Sequence, residues 1–186
     1  NDPVQVGIRI AIGGVLPQRC LEQQRRLIDI ALTNLVGHCD EIVISANRHL
    51  ETYAQTGHRV ITDARADYQG PLAGIEAALA VVTTPLLLLL PVDCPHPPRD
   101  WPARLSAALA EAPTAGLAVP HDGQRLQPLF ALLRTDIAPT LTAFLDAGER
   151  RVQAWVREQA SVTVDFSDQP DAFTNINTPQ DLERHD

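Results

Sequence analysis

Short apolar runs alternate along this chain with longer segments whose apolar residues recur every three or four positions. The first kind suits strands and the second suits amphipathic helices, so their order predicts βαβ units around a mostly parallel sheet. Residues 6–12 predict a first strand, stopped by Gly13-Gly14. Residues 21–36 predict a helix that places Leu27, Ile28, Ala31, Leu32 and Leu35 on one face. Residues 41–45 and 59–61 predict the next two strands, the second running out at Asp63. Asp67-Tyr68-Gln69-Gly70-Pro71 is turn chemistry, and proline suits the first turn of the alanine-rich helix predicted over 72–82. Residues 86–90 are consecutive leucines, far too few to span a bilayer and fitted to a central strand covered on both faces. Pro95, Pro97 and Pro98 make a stiff exit before a helix predicted over 99–111. Further strands are predicted at 115–119, 129–133 and 162–164, and further helices at 137–147, at 152–159 and from Thr178. No repeat or low-complexity linker intervenes, so residues 1–186 read as a single α/β domain.

In open α/β sheets ligands bind beyond the carboxyl ends of the strands, so the polar residues after each strand are the ones to inspect. They are Gly13 and Gly14 after the first strand, Ser45 and Asn47 after the second, Asp63 after the third and Asp93 after the fourth. Glycines let backbone amides approach phosphate oxygens. A hydroxyl or amide can read a base or ribose, and a carboxylate can hold Mg2+, which takes oxygen ligands and bridges to substrate phosphates. Singly, Gly-Gly is a common turn and Asp63 could close a turn or cap a helix. Asp93 is more pointed, because a charge at the end of a buried apolar strand is costly unless paired or metal-bound. The set suits a nucleoside triphosphate with Mg2+.

Composition narrows the field. A 186-residue chain with 45% hydrophobic residues can build its own core. Its formal charge of −8 argues against nucleic acid as a partner, since phosphate backbones demand dense positive charge. Cys20, Cys39 and Cys94 form neither a disulfide framework nor a metal-binding spacing, which suits a reducing compartment. With no secretory pattern and no apolar run of spanning length, the expectation is a cytoplasmic protein without a membrane partner. All fifteen basic residues counted as lysine or arginine are arginines, and methionine is absent.

Several longer motifs are more specific. Ser45-Ala46-Asn47-Arg48-His49, Asp67-Tyr68-Gln69-Gly70-Pro71-Leu72-Ala73-Gly74 and Pro91-Val92-Asp93-Cys94-Pro95 resemble those of the molybdenum cofactor guanylyltransferase family. So do His121-Asp122-Gly123, Ala147-Gly148-Glu149-Arg150-Arg151-Val152, Asp165-Phe166-Ser167-Asp168 and Phe173-Thr174-Asn175-Ile176-Asn177-Thr178-Pro179, all in the same order. The resemblance implies a Rossmann-like, three-layer nucleotidyltransferase fold around a mostly parallel sheet. The implied reaction joins the phosphate of molybdenum-molybdopterin to the guanylyl group of GTP and releases pyrophosphate, with Mg2+ as cofactor. It makes Asp93 the metal and catalytic aspartate and Ala11, Ile12, Gly13, Gly14, Ser45, Asn47, Asp63 and Asp93 the nucleotide-binding set. Ser45 stands where many relatives carry asparagine. Arg150, Arg151, Asn175 and Asn177 fall on the pterin side, where arginines suit a cofactor phosphate. Taken without the resemblance, the two arginines would be a solvated helix face, the two asparagines loop hydrogen-bonders, and His121-Asp122-Gly123 a surface turn. GTP and molybdopterin would be the ligands, with molybdoenzymes or other cofactor-biosynthesis proteins as further partners.

One stretch departs from the family. Ile10-Ala11-Ile12-Gly13-Gly14 keeps a likeness, but Val15-Leu16-Pro17-Gln18-Arg19-Cys20 lacks the family's basic glycine-rich loop and its Asp-Lys pair. A lysine there would neutralise charge on the leaving pyrophosphate. The expectation is a longer polypeptide carrying a lysine in a loop between Gly14 and Leu27; the other reading is a degenerate, non-catalytic cofactor carrier. A cytidylyltransferase of the same cofactor, or a sugar-phosphate nucleotidyltransferase, also stays open.

Overall fold

The computed structural model describes residues 7–11, 21–35, 37–65, 70–94 and 97–174, with side chains described outside 7–11 and 21–26. Seven strands form one sheet: β1 (Gly7–Ala11), β2 (Ile42–Ser45), β3 (Arg59–Ile61), β4 (Leu86–Pro91), β5 (Leu117–His121), β6 (Leu132–Arg134) and β7 (Ser161–Asp165). Their spatial order is β3-β2-β1-β4-β6-β5-β7. Among the described residues only β6 runs against its neighbours; the remaining pairs are parallel. The helices are α1 (Leu21–Leu35), α2 (Leu50–Ala54), α3 (Pro71–Leu79), α4 (Trp101–Glu111), α5 (Ala138–Asp146) and α6 (Val152–Glu158).

The five leucines of β4 organise both cores. Successive side chains in a strand point to opposite faces. Leu86, Leu88 and Leu90 accordingly join Leu27, Ile28, Ala31 and Leu35 of α1 and Trp101, Leu105 and Leu109 of α4. Leu87 and Leu89 join Leu72, Ile75 and Ala78 of α3 together with residues of α5 and α6. Every residue of β4 is buried. The result is the three-layer α/β/α arrangement that the sequence pattern predicts.

Two differences from the predicted elements have local causes. The strand expected over 129–133 begins only at Leu132, because Pro128–Phe130 makes a 3-10 turn first. Its reversed direction follows from a short return: residues 122–131 fold back from β5 and set β6 between β4 and β5. The short helix α2 carries no helical repeat long enough to register in the sequence, and its entry residue His49 sits at φ 53°. The helix expected from Thr178 lies outside the described residues.

An aromatic chain ties the end of the described segment to the core. Trp101 and Phe130 meet edge to face at 6.3 Å, Phe130 and Phe173 at 4.8 Å, and Phe166 and Phe173 at 5.4 Å. The Trp101 indole donates to the Phe130 carbonyl at 2.8 Å. Arg104 lies 3.9 Å over the Phe166 ring and donates to the Asp165 carbonyl. Such pairs add to apolar burial and fix ring orientation as well.

Arg65, just after β3, grips two helices. Its guanidinium donates to both carboxylate oxygens of Glu76 on α3, at 2.6 and 2.8 Å, and to Asp146 of α5 at 2.7 Å. The bond from Arg65 holds the Glu76 carboxyl below the usual carboxylate range, against an opposing push from burial. A group depressed on folding stabilises the protein above its unfolded pKa of about 4.3, and that stability is lost as pH falls through the lower folded value. Arg65→Met is therefore expected to cost about 1–2 kcal/mol at pH 6, with the two urea midpoints converging toward pH 3. Curves that stay parallel across that range would show that the pair contributes nothing.

Candidate active site

Strand order reverses between β1 and β4: from β1 the chain proceeds outward to β2 and β3, and from β4 toward the opposite edge. A crevice above the carboxyl ends at such a switch is where open α/β sheets take ligands. Ala11, the last residue of β1, pairs with Ser45 on one side and Pro91 on the other. The ends of β2, β1 and β4 are thus level. Ile12, Gly13 and Gly14, which continue from Ala11, lie outside the described residues, as does the stretch to Cys20 expected to hold the phosphate loop.

On the β2–β3 side the predicted nucleotide residues converge. The Asn47 amide donates to an Asp63 carboxylate oxygen at 2.7 Å, and the Asp63 backbone N–H returns a bond to the Asn47 carbonyl oxygen at 2.9 Å. This reciprocal pair welds the loops after β2 and β3, and Asp63 therefore does more than close a turn. Ser45 is buried. Gly74 of α3 faces both: a Cβ there would come within 3.1 Å of the Ser45 hydroxyl and 3.4 Å of Asp63. A side chain there would press on the Ser45 hydroxyl, so glycine eases this close approach of α3. Gly70, which caps α3, holds φ 78° and ψ −169°, a conformation essentially reserved for glycine. The motif around Gly70-Pro71 and Gly74 thus brings a helix down on the Ser45–Asp63 corner.

On the other side of β4 a cavity of about 620 Å³ opens, lined by Asp93 and by Arg125, Gln127, Arg151 and Arg157. Pro71 at the start of α3 also reaches it, so it adjoins the Ser45–Asp63 corner. Burial pushes the Asp93 carboxyl up from its ordinary value, with its own backbone N–H partly opposing the shift. Among the described residues no cation offsets that effect of burial. Three arginines against this one carboxylate make the cavity cationic in a chain whose net charge is −8. A focused local field of this kind attracts an anion regardless of net charge.

The neighbouring arginines of the Glu149-Arg150-Arg151 motif part company. Arg151 stands at the N-cap position of α6, without a side-chain capping bond, and lines the cavity. Arg150 lies outside that lining and instead donates to the Leu145 and Glu149 carbonyls at 2.7 and 2.6 Å. The Leu145 carbonyl near the end of α5 also accepts the Gly148 backbone N–H at 3.1 Å, so Arg150 adds a second bond to the turn that ends the helix. Asn175 and Asn177 lie outside the described residues, although Phe173 just before them lines the cavity.

Sequence reading missed Arg125, Gln127 and Arg157. The spacing of Arg151, Ala154 and Arg157 puts them on one face of α6, which was a usable signal. For Arg125 and Gln127 the signal was weaker, because they belong to a return loop whose direction depends on β6.

A metal centre built wholly by protein is absent: among the described residues no three His, Cys, Asp or Glu side chains gather to hold an ion. Mg2+ needs no such cage, since one or two carboxylates with substrate phosphates suffice. The unpaired Asp93 carboxylate at the switch point fits that coordination. Among the described residues the thiols offer no nucleophile, since Cys94 is buried and burial, aided by Asp40, pushes the Cys39 thiol up to about 11.

A family model described as the MobA-like NTP transferase domain matches residues 19–162. The chain belongs to this nucleotidyltransferase family. A molybdenum cofactor guanylyltransferase of Shewanella frigidimarina is 40% identical over 179 residues, covering 92% of this chain and 91% of the relative. One from Shewanella halifaxensis is 42% identical over 158 residues, covering 85% and 78%. Among solved structures, molybdopterin-guanine dinucleotide biosynthesis protein A of Archaeoglobus fulgidus superposes with a TM-score of 0.74 at 20% identity, covering 96% of each chain. The 2-C-methyl-D-erythritol 4-phosphate cytidylyltransferase of Thermus thermophilus gives 0.68 at 18% identity, covering 97% and 96%. These two likenesses establish a nucleotidyltransferase fold, not a base preference. Among the described residues no helix is long and apolar enough to cross a membrane.

Proposed function

We propose that the protein transfers GMP from GTP to the phosphate of molybdenum-molybdopterin, forming the guanine dinucleotide cofactor and pyrophosphate. The observation that carries this reading is the near full-length similarity to guanylyltransferases of this cofactor. The division of the switch-point crevice into a nucleotide corner and a cationic cavity supports it. Two phosphorylated substrates need two sites meeting at one point, and Asp93, which lines the cavity as Pro71 of α3 also does, would stand where they adjoin.

In the proposed reaction an oxygen of the pterin phosphate attacks the α-phosphorus of GTP. A new P–O bond forms as the bond from the α-phosphorus to the bridging oxygen breaks, and pyrophosphate leaves with that electron pair. The attacking oxygen comes from the substrate, so the chain supplies no covalent nucleophile. Ser45, Asn47 and Asp63 would fix base and ribose, and the amides at Gly13-Gly14 would approach the phosphates. Arg151 and its neighbours would hold the pterin phosphate in line and offset the repulsion between two anions. Mg2+ held by Asp93 would neutralise the triphosphate oxygens. This sequence holds no lysine, so within it arginine and the metal would carry the countercharge, to which a lysine in the expected loop between Gly14 and Leu27 would add. The cytoplasm, where GTP is plentiful and thiols stay reduced, is the compartment this activity requires.

Titration with GTP, CTP and ATP, each with Mg2+, tests the assignment. GTP is expected to bind at least about tenfold more tightly than either rival, roughly 1.4 kcal/mol. CTP binding as tightly as GTP would overturn the guanylyl reading and leave the fold untouched.

A further inference from the structure

The turn between β5 and β6 contains a carboxylate that none of the proposed chemistry uses. Asp122 is buried, although its sequence context reads as a surface turn. One carboxylate oxygen accepts the backbone N–H groups of Gln124 and Arg125, both at 2.8 Å. The other accepts the side-chain amide of Gln127 at 2.6 Å. Arg125 Nε approaches that oxygen at 3.9 Å. The turn is closed further by the Asp122 N–H on the Arg125 carbonyl and the Gln127 N–H on the Pro120 carbonyl. Burial pushes the Asp122 carboxyl up, but the bonds from Arg125, Gln124 and Gln127 outweigh it and leave it below its ordinary value, so it is ionised at neutral pH.

An ionised carboxylate can only accept hydrogen bonds. The Gln127 amide must therefore present its NH2 to Asp122, which settles an orientation that shape alone would leave open. Its carbonyl oxygen is directed away from Asp122 and accepts no hydrogen bond from a described residue. Gln127 lines the cationic cavity together with Arg125, Arg151 and Arg157. The arginines suit a phosphate, but a phosphate would not use an acceptor oxygen. The acceptor calls for a ligand that also carries N–H donors.

We propose that Gln127 determines specificity in the acceptor cavity by receiving a hydrogen bond from a ring-edge N–H of the acceptor substrate, with Asp122 as the positioning residue that fixes its amide. The inference rests on the acceptor named above. A pterin's 2-amino-4-oxo pyrimidine edge carries N–H donors of the required kind, and the arginines take the same molecule's phosphate. Asp122 acts at one remove: it touches no substrate, and its work is the orientation of Gln127 and the shape of the turn bearing Arg125.

The discriminating variants are Gln127→Leu, Asp122→Asn and the double substitution, assayed with GTP and molybdopterin. Asn at 122 keeps a carbonyl oxygen for the two backbone N–H groups, which places its own NH2 against Gln127. The Gln127 amide must then flip and offer the cavity a donor. Each single variant is expected to raise the molybdopterin KM about tenfold, as for loss of one buried hydrogen bond, while the GTP Kd stays within about twofold. The double variant is expected to be no worse than Gln127→Leu alone, since the two residues act through one contact. Additive losses would overturn the positioning role of Asp122. An unchanged molybdopterin KM in Gln127→Leu, or a raised GTP Kd in its place, would overturn the specificity role. If Asp122→Asn does not fold, the Gln127→Leu comparison still decides that role. Failure of the wild-type protein to bind molybdopterin would sink the acceptor assignment and this inference together; wild-type turnover with an unaltered Gln127→Leu sinks the inference alone.

Discussion

Asp93→Asn is expected to lower the rate of guanylyl transfer on the order of a hundredfold or more while leaving the protein at least as stable as wild type. The two halves of this expectation have one cause. Asp93 follows a fully buried strand, and burial pushes its carboxyl up with no cation among the described residues to offset the cost. Removing the charge relieves that cost, so folding stability should hold or rise. On the proposed function the same removal takes a charged oxygen ligand from the metal, so the rate should collapse. A residue kept only for structure would show the opposite signature, with stability lost and the rate spared. Single-turnover rates at saturating GTP and Mg2+, with thermal midpoints for both proteins, separate the two. Near-wild-type turnover would remove Asp93 from the metal site.

The sequence revealed the N-terminal half of the fold and of the site more fully than the C-terminal half, and the reason is topological. Strands β1 to β4 each end at the same edge and follow one another through parallel crossovers, so a list of post-strand residues is also a list of neighbours in space. Ser45, Asn47, Asp63 and Asp93 could be proposed together on that rule alone. What the rule could not supply was the Asn47–Asp63 pair, or the closeness of Gly74 to Ser45, because both depend on side-chain placement across loops. Past β4 the rule fails. The strand β6 runs backward, the short return from β5 has no periodicity, and His121-Asp122-Gly123 taken alone reads as a surface turn. Arg125, Gln127 and the burial of Asp122 follow from that reversal. Arg150 and Arg151 look alike in sequence, and only the course of the chain after Gly148 separates the helix-capping arginine from the cavity-lining one. Ile12, Gly13, Gly14, Asn175 and Asn177 fall outside the described residues; the two glycines rest on the strand-end rule as well as the family resemblance, the other three on the resemblance.

Replacing Arg151 and Arg157 together by glutamine is expected to raise the molybdopterin KM at least about a hundredfold, with the GTP Kd changed by less than about threefold. Both side chains line the cavity, both are exposed, and neither has an ion-pair partner among the described residues. Their removal therefore breaks no internal ion pair, and the fold should survive. A hydrogen bond to a charged group contributes about 1.5–3 kcal/mol, so two of them on one phosphate amount to at least about two powers of ten in affinity. Salt offers a second reading of the same contact. Raising the ionic strength from about 0.05 to about 0.5 M shortens the screening distance from roughly 14 Å to about 4 Å. Wild-type KM for molybdopterin should climb over that range, while the double variant, already without the charges, should respond weakly. A GTP Kd that rises with the acceptor KM would mean that these arginines hold the triphosphate, and the division of the crevice into two sites would have to be redrawn.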